Sequence, residues 1–122
     1  MRKKADPGDM DRKKRAVRLC HEAGIPVCAS TDANTPFVRP GDVLKEIALY
    51  TECGLTNLEA IQTATRDAAR LCMIEKDTGT LEPGKRADFV ILSGNPLEDI
   101  HMLEKVDSTW SGGACIYKGV EE

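Results

Sequence analysis

The sequence is poor in aromatic residues and in histidine, and it has no long hydrophobic run. Phe, Trp and Tyr make up 4% of its 122 residues, so any core must be built mainly from aliphatic side chains. No apolar stretch approaches the roughly 20 residues that a membrane-spanning helix needs. The basic N-terminus, MRKKADPGDMDRKKR, is not followed by an apolar segment, so it does not match a secretory signal.

Cysteine patterns that would indicate a metal or a redox centre are missing as well. Five cysteines are scattered along the chain, and no two of them form a Cys-x-x-Cys pair. An odd number without metal-ligand spacing favours reduced thiols and a cytoplasmic location. The net charge of −3 argues neither for nor against a charged partner. The basic residues near the N-terminus have no aromatic residues between them, so we expect a solvated helix face and no nucleic-acid or membrane partner.

The first part of the chain has the pattern of an alternating α/β protein. Residues 10–23 are predicted to form a helix, with Asp9 as its N-cap, Gly24 as its C-terminal stop and an apolar stripe that includes Leu19. Residues 25–29 follow without any polar alternation, which is typical of a parallel strand covered on both faces.

Two further helices are predicted before the chain changes character. Residues 43–53 form the first, with Asp42 as its cap, and a third helix is predicted to run unbroken to about Cys72. Its start has a capping box, in which Thr56 and Glu59 satisfy each other's backbone amides. Beyond it the pattern predicts a turn at Pro83-Gly84, a strand at residues 87–92, and a hairpin at residues 106–117 around Gly112-Gly113.

Asp32 stands where packing does not explain a charged side chain. It follows the apolar run 25–29, and ligands of parallel α/β proteins gather beyond the carboxyl ends of the strands. A carboxylate there can bind a metal or accept a proton from a metal-bound water. The alternative is that Asp32 caps a helix or forms a turn. The residues alone leave both interpretations open.

Histidine offers little further chemistry. His21 lies away from the predicted apolar stripe near the end of the first helix, and His101 lies in the polar stretch LEDIHMLEK. The two form neither a His-x-His nor a His-x-x-x-His pair, so both are predicted to be surface residues.

Three stretches carry a resemblance to a known family: GIPVCASTDA, LTNLEAIQTATRDAARL and, above all, GTLEPGKRADFVILSGNPLEDI. They resemble the C-terminal end of the metal-dependent amidohydrolase superfamily, in particular its imidazolonepropionase-like and prolidase-like members. The pattern Gly-x-Leu-x-Pro-Gly-Lys-x-Ala-Asp-x-Val at residues 79–90 is specific to that superfamily, though not to one activity within it.

The resemblance implies an α/β fold made of a (β/α)8 barrel and a small β-sandwich built from both chain ends. Residues 1–75 would be the C-terminal end of the barrel, with 25–29 as its eighth strand. Residues 76–122 would be the C-terminal strands of the sandwich. A complete barrel needs at least about 200 residues, so this chain would hold only part of the fold.

The resemblance also assigns a role to Asp32. It matches the family's aspartate that binds the metal and handles the protons of the attacking water. Thr31 and Asn34 are weaker candidates for groups that orient ligands in the barrel mouth, with plain turn chemistry as the alternative. Zinc is the expected metal, as one or two ions in the complete enzyme, and we expect this chain alone to hold none tightly.

The chain is therefore predicted to be part of a hydrolase acting on carbon–nitrogen bonds in a small amide, cyclic amide or dipeptide. Its expected partners are a small-molecule amide in the complete enzyme and either the missing N-terminal part of the barrel or a second copy of itself. The alternative function is a non-catalytic association or scaffold module derived from the same fold, which the absence of the family's other metal ligands favours.

Overall fold

A computed structural model describes residues 8–31 and 43–119 of the chain. Helices occupy the first part of these residues, and an antiparallel sheet occupies the last. The helices are α1 (Asp9–Glu22), α2 (Val43–Glu52), α3 (Asn57–Thr63) and α4 (Arg66–Leu71). The strands are β1 (Phe89–Leu92), β2 (Val106–Ser111) and β3 (Ala114–Lys118), with a 3₁₀ helix, Ile100–Glu104, between β1 and β2. No described helix is long and apolar enough to cross a membrane.

The helix predicted to reach Cys72 is broken into α3 and α4. Its start is as expected, because the Thr56 hydroxyl accepts from the Glu59 amide and the Glu59 carboxylate accepts from the Thr56 amide. At the break, the hydroxyls of Thr63 and Thr65 donate to carbonyls three and four residues earlier, at 2.6 and 3.0 Å. Such side-chain bonds compete with the helical backbone ladder, and Thr65 leaves the helical conformation with φ −123° and ψ −91°.

Helix α1 forms at nearly the predicted residues, but two details were wrong. Gly8 occupies the N-cap position, and Asp9 lies within the first turn, where its carboxylate pairs with Lys13 at 2.9 Å. The predicted apolar stripe faces outward, so that Leu19 is 53% exposed and α1 contains no buried residue. Val17 is the α1 residue that packs, partly buried, against the core, and an ion pair of 2.7 Å between Lys14 Nζ and Glu52 Oε2 links the helix to α2.

Residues 25–29 do not form the predicted buried strand. The segment is irregular, Ile25 is 55% exposed, and the three residues that end it are only half-buried. A strand requires a neighbouring strand to receive its backbone hydrogen bonds. Here the Ala29 amide donates to the Thr63 carbonyl of a helix, at 3.1 Å, and no strand of the described residues lies beside the segment.

The core joins the helices to the sheet region. It consists of six buried residues: Ile47, Tyr50, Cys53, Leu55, Ala60 and Ile100. Ile100 enters this cluster from the 3₁₀ helix, and the Asn57 side-chain amide donates to the Pro96 and Leu97 carbonyls at 3.1 Å each. The loop before the 3₁₀ helix is therefore fastened to the start of α3. All five cysteines are free thiols, and only Cys53 among them is buried.

The sheet has the order β1-β2-β3, with both pairs antiparallel. Phe89 lies opposite Trp110, and their rings stack with centroids 5.6 Å apart. Gly112 and Gly113 form the predicted hairpin turn with φ +57° and +81°, which only glycine adopts at low cost.

Asp88, within the motif at residues 79–90, bonds to two other parts of the chain. Its carboxylate accepts from the Gly112 amide at 2.8 Å and from the Thr78 hydroxyl at 2.9 Å, while Arg86 lies 3.6 Å away. The hydrogen bond from the Gly112 amide, followed by that from Thr78, lowers the pKa of the Asp88 carboxyl. One carboxylate thus links the loop before β1 to the β2–β3 turn.

Helix α4 ends in a Schellman motif with an unusual residue. The Ile74 amide donates to the Ala69 carbonyl at 2.9 Å and the Met73 amide to the Arg70 carbonyl at 3.1 Å, which is the paired bonding of that motif. Met73 has φ +58° at the position that glycine usually occupies. Because a left-handed conformation costs a non-glycine residue about 1–2 kcal/mol, this turn carries strain.

Replacing Gly79 by alanine should destabilise the chain strongly. Gly79 has φ +100°, and a Cβ there would lie 2.5 Å from the Ala69 Cβ and 3.1 Å from the Thr65 carbonyl oxygen. We expect a loss of about 3 kcal/mol in the free energy of unfolding, measured by urea denaturation. The control is Gly84→Ala, where φ is +88° but nothing lies within 4 Å, and the expected loss is about 1 kcal/mol. Equal losses of stability in the two variants would contradict the close approach of the loop at Gly79 to α4.

Asp88→Asn should lower the urea midpoint at pH 7, because an amide offers one acceptor oxygen where the carboxylate offers two. A carboxyl whose pKa is lowered in the fold stabilises it above the unfolded value of about 3.9, and that contribution is lost as pH falls through the folded pKa. The difference between wild type and variant should therefore narrow below about pH 4. The control is Asp107→Asn, because Asp107 is an exposed acid on β2. If the difference in urea midpoint between wild type and Asp88→Asn stayed constant from pH 7 to pH 3, the charge of Asp88 could not be its source.

Candidate active site

The segment that leads to Asp32 is anchored at both of its ends. The Ile25 amide donates to the Cys20 carbonyl at 2.9 Å, and the Ala29 amide donates to the Thr63 carbonyl at 3.1 Å. Val27 and Ala29 pack against the core cluster. The path of the chain up to residue 31 is thus set by α1 on one side and by the end of α3 on the other.

Tyr50 anchors the same segment from the core. Its hydroxyl donates to the Cys28 carbonyl at 3.3 Å, and the residue is 6% exposed. Burial, with a smaller contribution from Glu46, raises the pKa of Tyr50 to about 12, so the phenol stays protonated and keeps the hydrogen that it donates. Burial likewise raises the pKa of the Cys28 thiol, which disfavours a thiolate nucleophile at this point. Tyr50 thus positions the backbone of the segment.

The three predicted site residues fall at the edge of the described structure. Thr31 is half-buried in irregular backbone at the end of the anchored segment. Asp32 and Asn34 lie outside the described residues, so their roles stay predictions. Within residues 8–31 and 43–119, no group of three or more His, Cys, Asp or Glu side chains could hold a metal ion. A zinc ion therefore finds no complete ligand set among the described residues.

A charged concavity of about 260 Å³ lies at the opposite end of the segment, beside Gly24. In it, His21 Nε2 lies 2.7 Å from Glu59 Oε2, and Asp67 Oδ1 lies 3.0 Å from Arg66 Nε. Both histidines were predicted to be surface residues: His101 is exposed, and His21 is partly exposed but paired with Glu59. No local pattern could have revealed this pair, because its members are 38 residues apart and are brought together by the fold.

Glu59 therefore has two roles in this concavity. Its pKa is lowered first by its hydrogen bonds with Thr56 in the capping box, and the neighbouring His21 lowers it further. An ionised Glu59 both completes the start of α3 and pairs with the end of α1. The pair of His21 and Glu59 joins α1 to α3. The acidic side chains of the concavity, Glu59 and Asp67, are thus already paired with its basic side chains.

A family model confirms the resemblance seen in the sequence. The model of the amidohydrolase family matches residues 10–116, which is most of the chain. The chain belongs to the amidohydrolase family. The match includes the anchored segment, the helices and all but the end of β3.

The relatives of this amidohydrolase chain have diverse names. It is 32% identical over 114 residues to an ochratoxinase of Aspergillus niger, and 32% identical over 109 residues to an imidazolonepropionase of Shouchella clausii. These alignments cover 89% and 84% of this chain but 23% and 24% of the relatives. A solved Xaa-Pro dipeptidase with bound methionine superimposes with a TM-score of 0.77 at 37% identity, over 87% of this chain and 25% of that one.

The chain therefore spans about a quarter of the length of the relatives that it matches. The shared quarter contains the helices and the antiparallel sheet described above. Three quarters of each relative have no counterpart in this sequence.

Replacing Tyr50 by phenylalanine should loosen the anchored segment. The change removes the hydroxyl that donates to the Cys28 carbonyl but keeps the buried ring. We expect a loss of about 1 kcal/mol in the free energy of unfolding and faster hydrogen exchange at the Ala29 amide. Tyr117→Phe is the control, because Tyr117 lies half exposed on β3 and its loss should change stability by less than about 0.5 kcal/mol. Unchanged exchange at Ala29 in Tyr50→Phe would contradict the anchoring role.

Proposed function

We propose that this chain is the C-terminal part of an amidohydrolase that hydrolyses a carbon–nitrogen bond in a small amide, cyclic amide or dipeptide. The observation that carries the proposal is the family match over residues 10–116, which includes a segment anchored on both sides that ends at Thr31-Asp32. The three relatives are named for three different substrates, so the shared quarter supports the reaction class and leaves the substrate to the rest of the enzyme.

In this proposal Asp32 is both metal ligand and general base. Its carboxylate accepts a proton from the attacking water and returns it to the leaving nitrogen as the carbon–nitrogen bond breaks. When bound, zinc would supply Lewis acidity and lower the pKa of its water to near 7. Thr31 and Asn34 would orient groups around Asp32 through hydrogen bonds. The remaining ligands would come from the part of the enzyme that this chain lacks.

The same proposal accounts for the irregular segment 25–29. In the complete enzyme it would become the eighth strand of a (β/α)8 barrel, because neighbouring strands would then receive its backbone hydrogen bonds. Residues 1–75 would close that barrel, and residues 76–122 would contribute strands to a β-sandwich. The half-exposed apolar side chains of the segment, Ile25 above all, would be covered by the same neighbours.

A second candidate function is a non-catalytic association module. It is favoured by the many large apolar side chains that the described residues expose, Leu71, Met73 and Leu81 among them. The two functions differ in what precedes this sequence in its gene. An in-frame upstream segment that encodes a His-x-His motif would support the enzyme, and its absence would support the module.

Changing Asp32 to asparagine in the complete enzyme should reduce turnover by a factor of about 10² to 10⁴, because the amide cannot accept the proton. Turnover would be measured on a panel of small amides, cyclic amides and dipeptides, together with the zinc content of the protein. The matched control is Asp11→Asn, an exposed acid on α1, which should leave both quantities unchanged. Near-normal turnover in Asp32→Asn would refute the role of Asp32 as general base. Tight binding of one zinc ion by this chain alone would refute the proposal that the remaining metal ligands come from another part of the enzyme.

A further inference from the structure

The break between α3 and α4 changes the partner of one backbone carbonyl. In an unbroken helix, the Thr63 carbonyl would accept from the amide four residues later, that of Asp67. In the structure it accepts from the Ala29 amide, at 3.1 Å. Ala29 belongs to the irregular segment that leads to Asp32. The break therefore frees this carbonyl for the segment.

At Thr65 the side chain takes the place of the backbone amide. In a continuing helix, the Thr65 amide would donate to the Ile61 carbonyl, four residues earlier. Here the Thr65 hydroxyl donates to that carbonyl at 3.0 Å, and the Thr65 amide donates to the Gln62 carbonyl at 3.2 Å. Side-chain bonds of this kind compete with the helical ladder. The hydroxyl thus stabilises the non-helical backbone of Thr65.

The two threonines of the break differ in burial. Thr63 is 2% exposed, and its hydroxyl donates to the carbonyl of the fully buried Ala60 at 2.6 Å, so its backbone is fixed by the core. Thr65 is exposed. Its hydroxyl can therefore be removed without leaving a cavity in the core, which makes Thr65 the residue that tests the break.

The loop of the motif at residues 79–90 lies against the same break. A Cβ on Gly79 would lie 3.1 Å from the Thr65 carbonyl oxygen and 3.6 Å from the Arg66 Cα. The loop therefore passes close to the residues that interrupt the helix. The break contacts both the motif loop, through Thr65, and the segment that leads to Asp32, through the Thr63 carbonyl.

We propose that Thr65 is a positioning residue for the candidate catalytic segment. Its hydroxyl keeps α3 from continuing into α4, which leaves the Thr63 carbonyl to the Ala29 amide and sets the backbone three residues before Asp32. The effect on the backbone follows from these bonds, and the effect on catalysis rests on the proposed function of Asp32. A misplacement of about 1 Å can cost an enzyme about 10²-fold in rate, so a distant hydroxyl can affect turnover.

The bond between Ala29 and Thr63 can be measured in the wild-type chain without any substitution. We expect NMR to detect the scalar coupling through the hydrogen bond, between the Ala29 amide nitrogen and the Thr63 carbonyl carbon. A coupling from the Asp67 nitrogen to that carbonyl carbon, in place of the one from Ala29, would show a continuous helix and would overturn the proposal.

Two variants of Thr65 separate the hydroxyl from the shape of the side chain. Thr65→Val removes the hydroxyl and keeps the branched side chain, whereas Thr65→Ser keeps the hydroxyl. Relative to the amides of β2, hydrogen exchange at Ala29 should be about fivefold faster in Thr65→Val and unchanged in Thr65→Ser. The matched control is Thr51→Val, which removes a hydroxyl that donates to the Ala48 carbonyl at 2.6 Å in α2 and should leave Ala29 unchanged.

Three results of the exchange experiment would overturn the positioning role. The first is wild-type exchange at Ala29 in Thr65→Val. The second is equal acceleration at Ala29 and in β2, which would mean that the variant only lowers global stability. The third is the same acceleration at Ala29 in Thr51→Val.

Kinetics of the complete enzyme test the catalytic part of the proposal. Thr65→Val should lower kcat about tenfold and leave KM nearly unchanged, and Thr65→Ser should have the kcat of the wild type. Wild-type turnover in Asp32→Asn would overturn the proposed function and, with it, the catalytic effect of Thr65. Loss of turnover in Asp32→Asn together with wild-type kcat in Thr65→Val would overturn the positioning role alone.

Discussion

The described structure depends on one small buried cluster that the two kinds of secondary structure share. Ile47 and Tyr50 of α2 meet Ala60 of α3, which is completely buried, and Ile100 reaches the same cluster from the 3₁₀ helix. Burying a large aliphatic side chain contributes about 2 kcal/mol, so a cluster of this size supports only a modest fold. Partly buried hydrophobic residues, Val27 and Leu103 among them, pack against this cluster, and individual hydrogen bonds and ion pairs add to their contacts.

Hydrogen bonds to the core set the path of the segment that leads to Asp32. The Tyr50 hydroxyl holds the Cys28 carbonyl and the Thr63 carbonyl holds the Ala29 amide, so the segment that leads to Asp32 is positioned by two elements of the core. Helix α1 contacts the core through the partly buried Val17, and the ion pairs of Lys14 with Glu52 and of His21 with Glu59 add to this contact. Ion pairs with partly exposed side chains contribute little each.

The most specific sequence motif has a structural explanation. Within Gly-x-Leu-x-Pro-Gly-Lys-x-Ala-Asp, Gly79 allows the loop to approach Ala69, and Asp88 bonds that loop to the β2–β3 turn. In the described residues both side chains serve the junction between the helices and the sheet.

The sequence by itself determined the elements whose causes are local. The capping box of Thr56 and Glu59 and the left-handed turn at Gly112-Gly113 both depend on residues within a few positions of each other. It also determined the family, because the motifs at residues 79–90 are contiguous. Tertiary structure alone decided what depends on distant partners. Among the described residues, the run 25–29 has the composition of a buried strand but no strand beside it, and Leu19 of the apolar stripe is exposed. His21 meets Glu59 only because the fold brings the end of α1 to the start of α3. A local pattern states which face of an element is apolar, whereas the rest of the chain decides whether anything lies against that face.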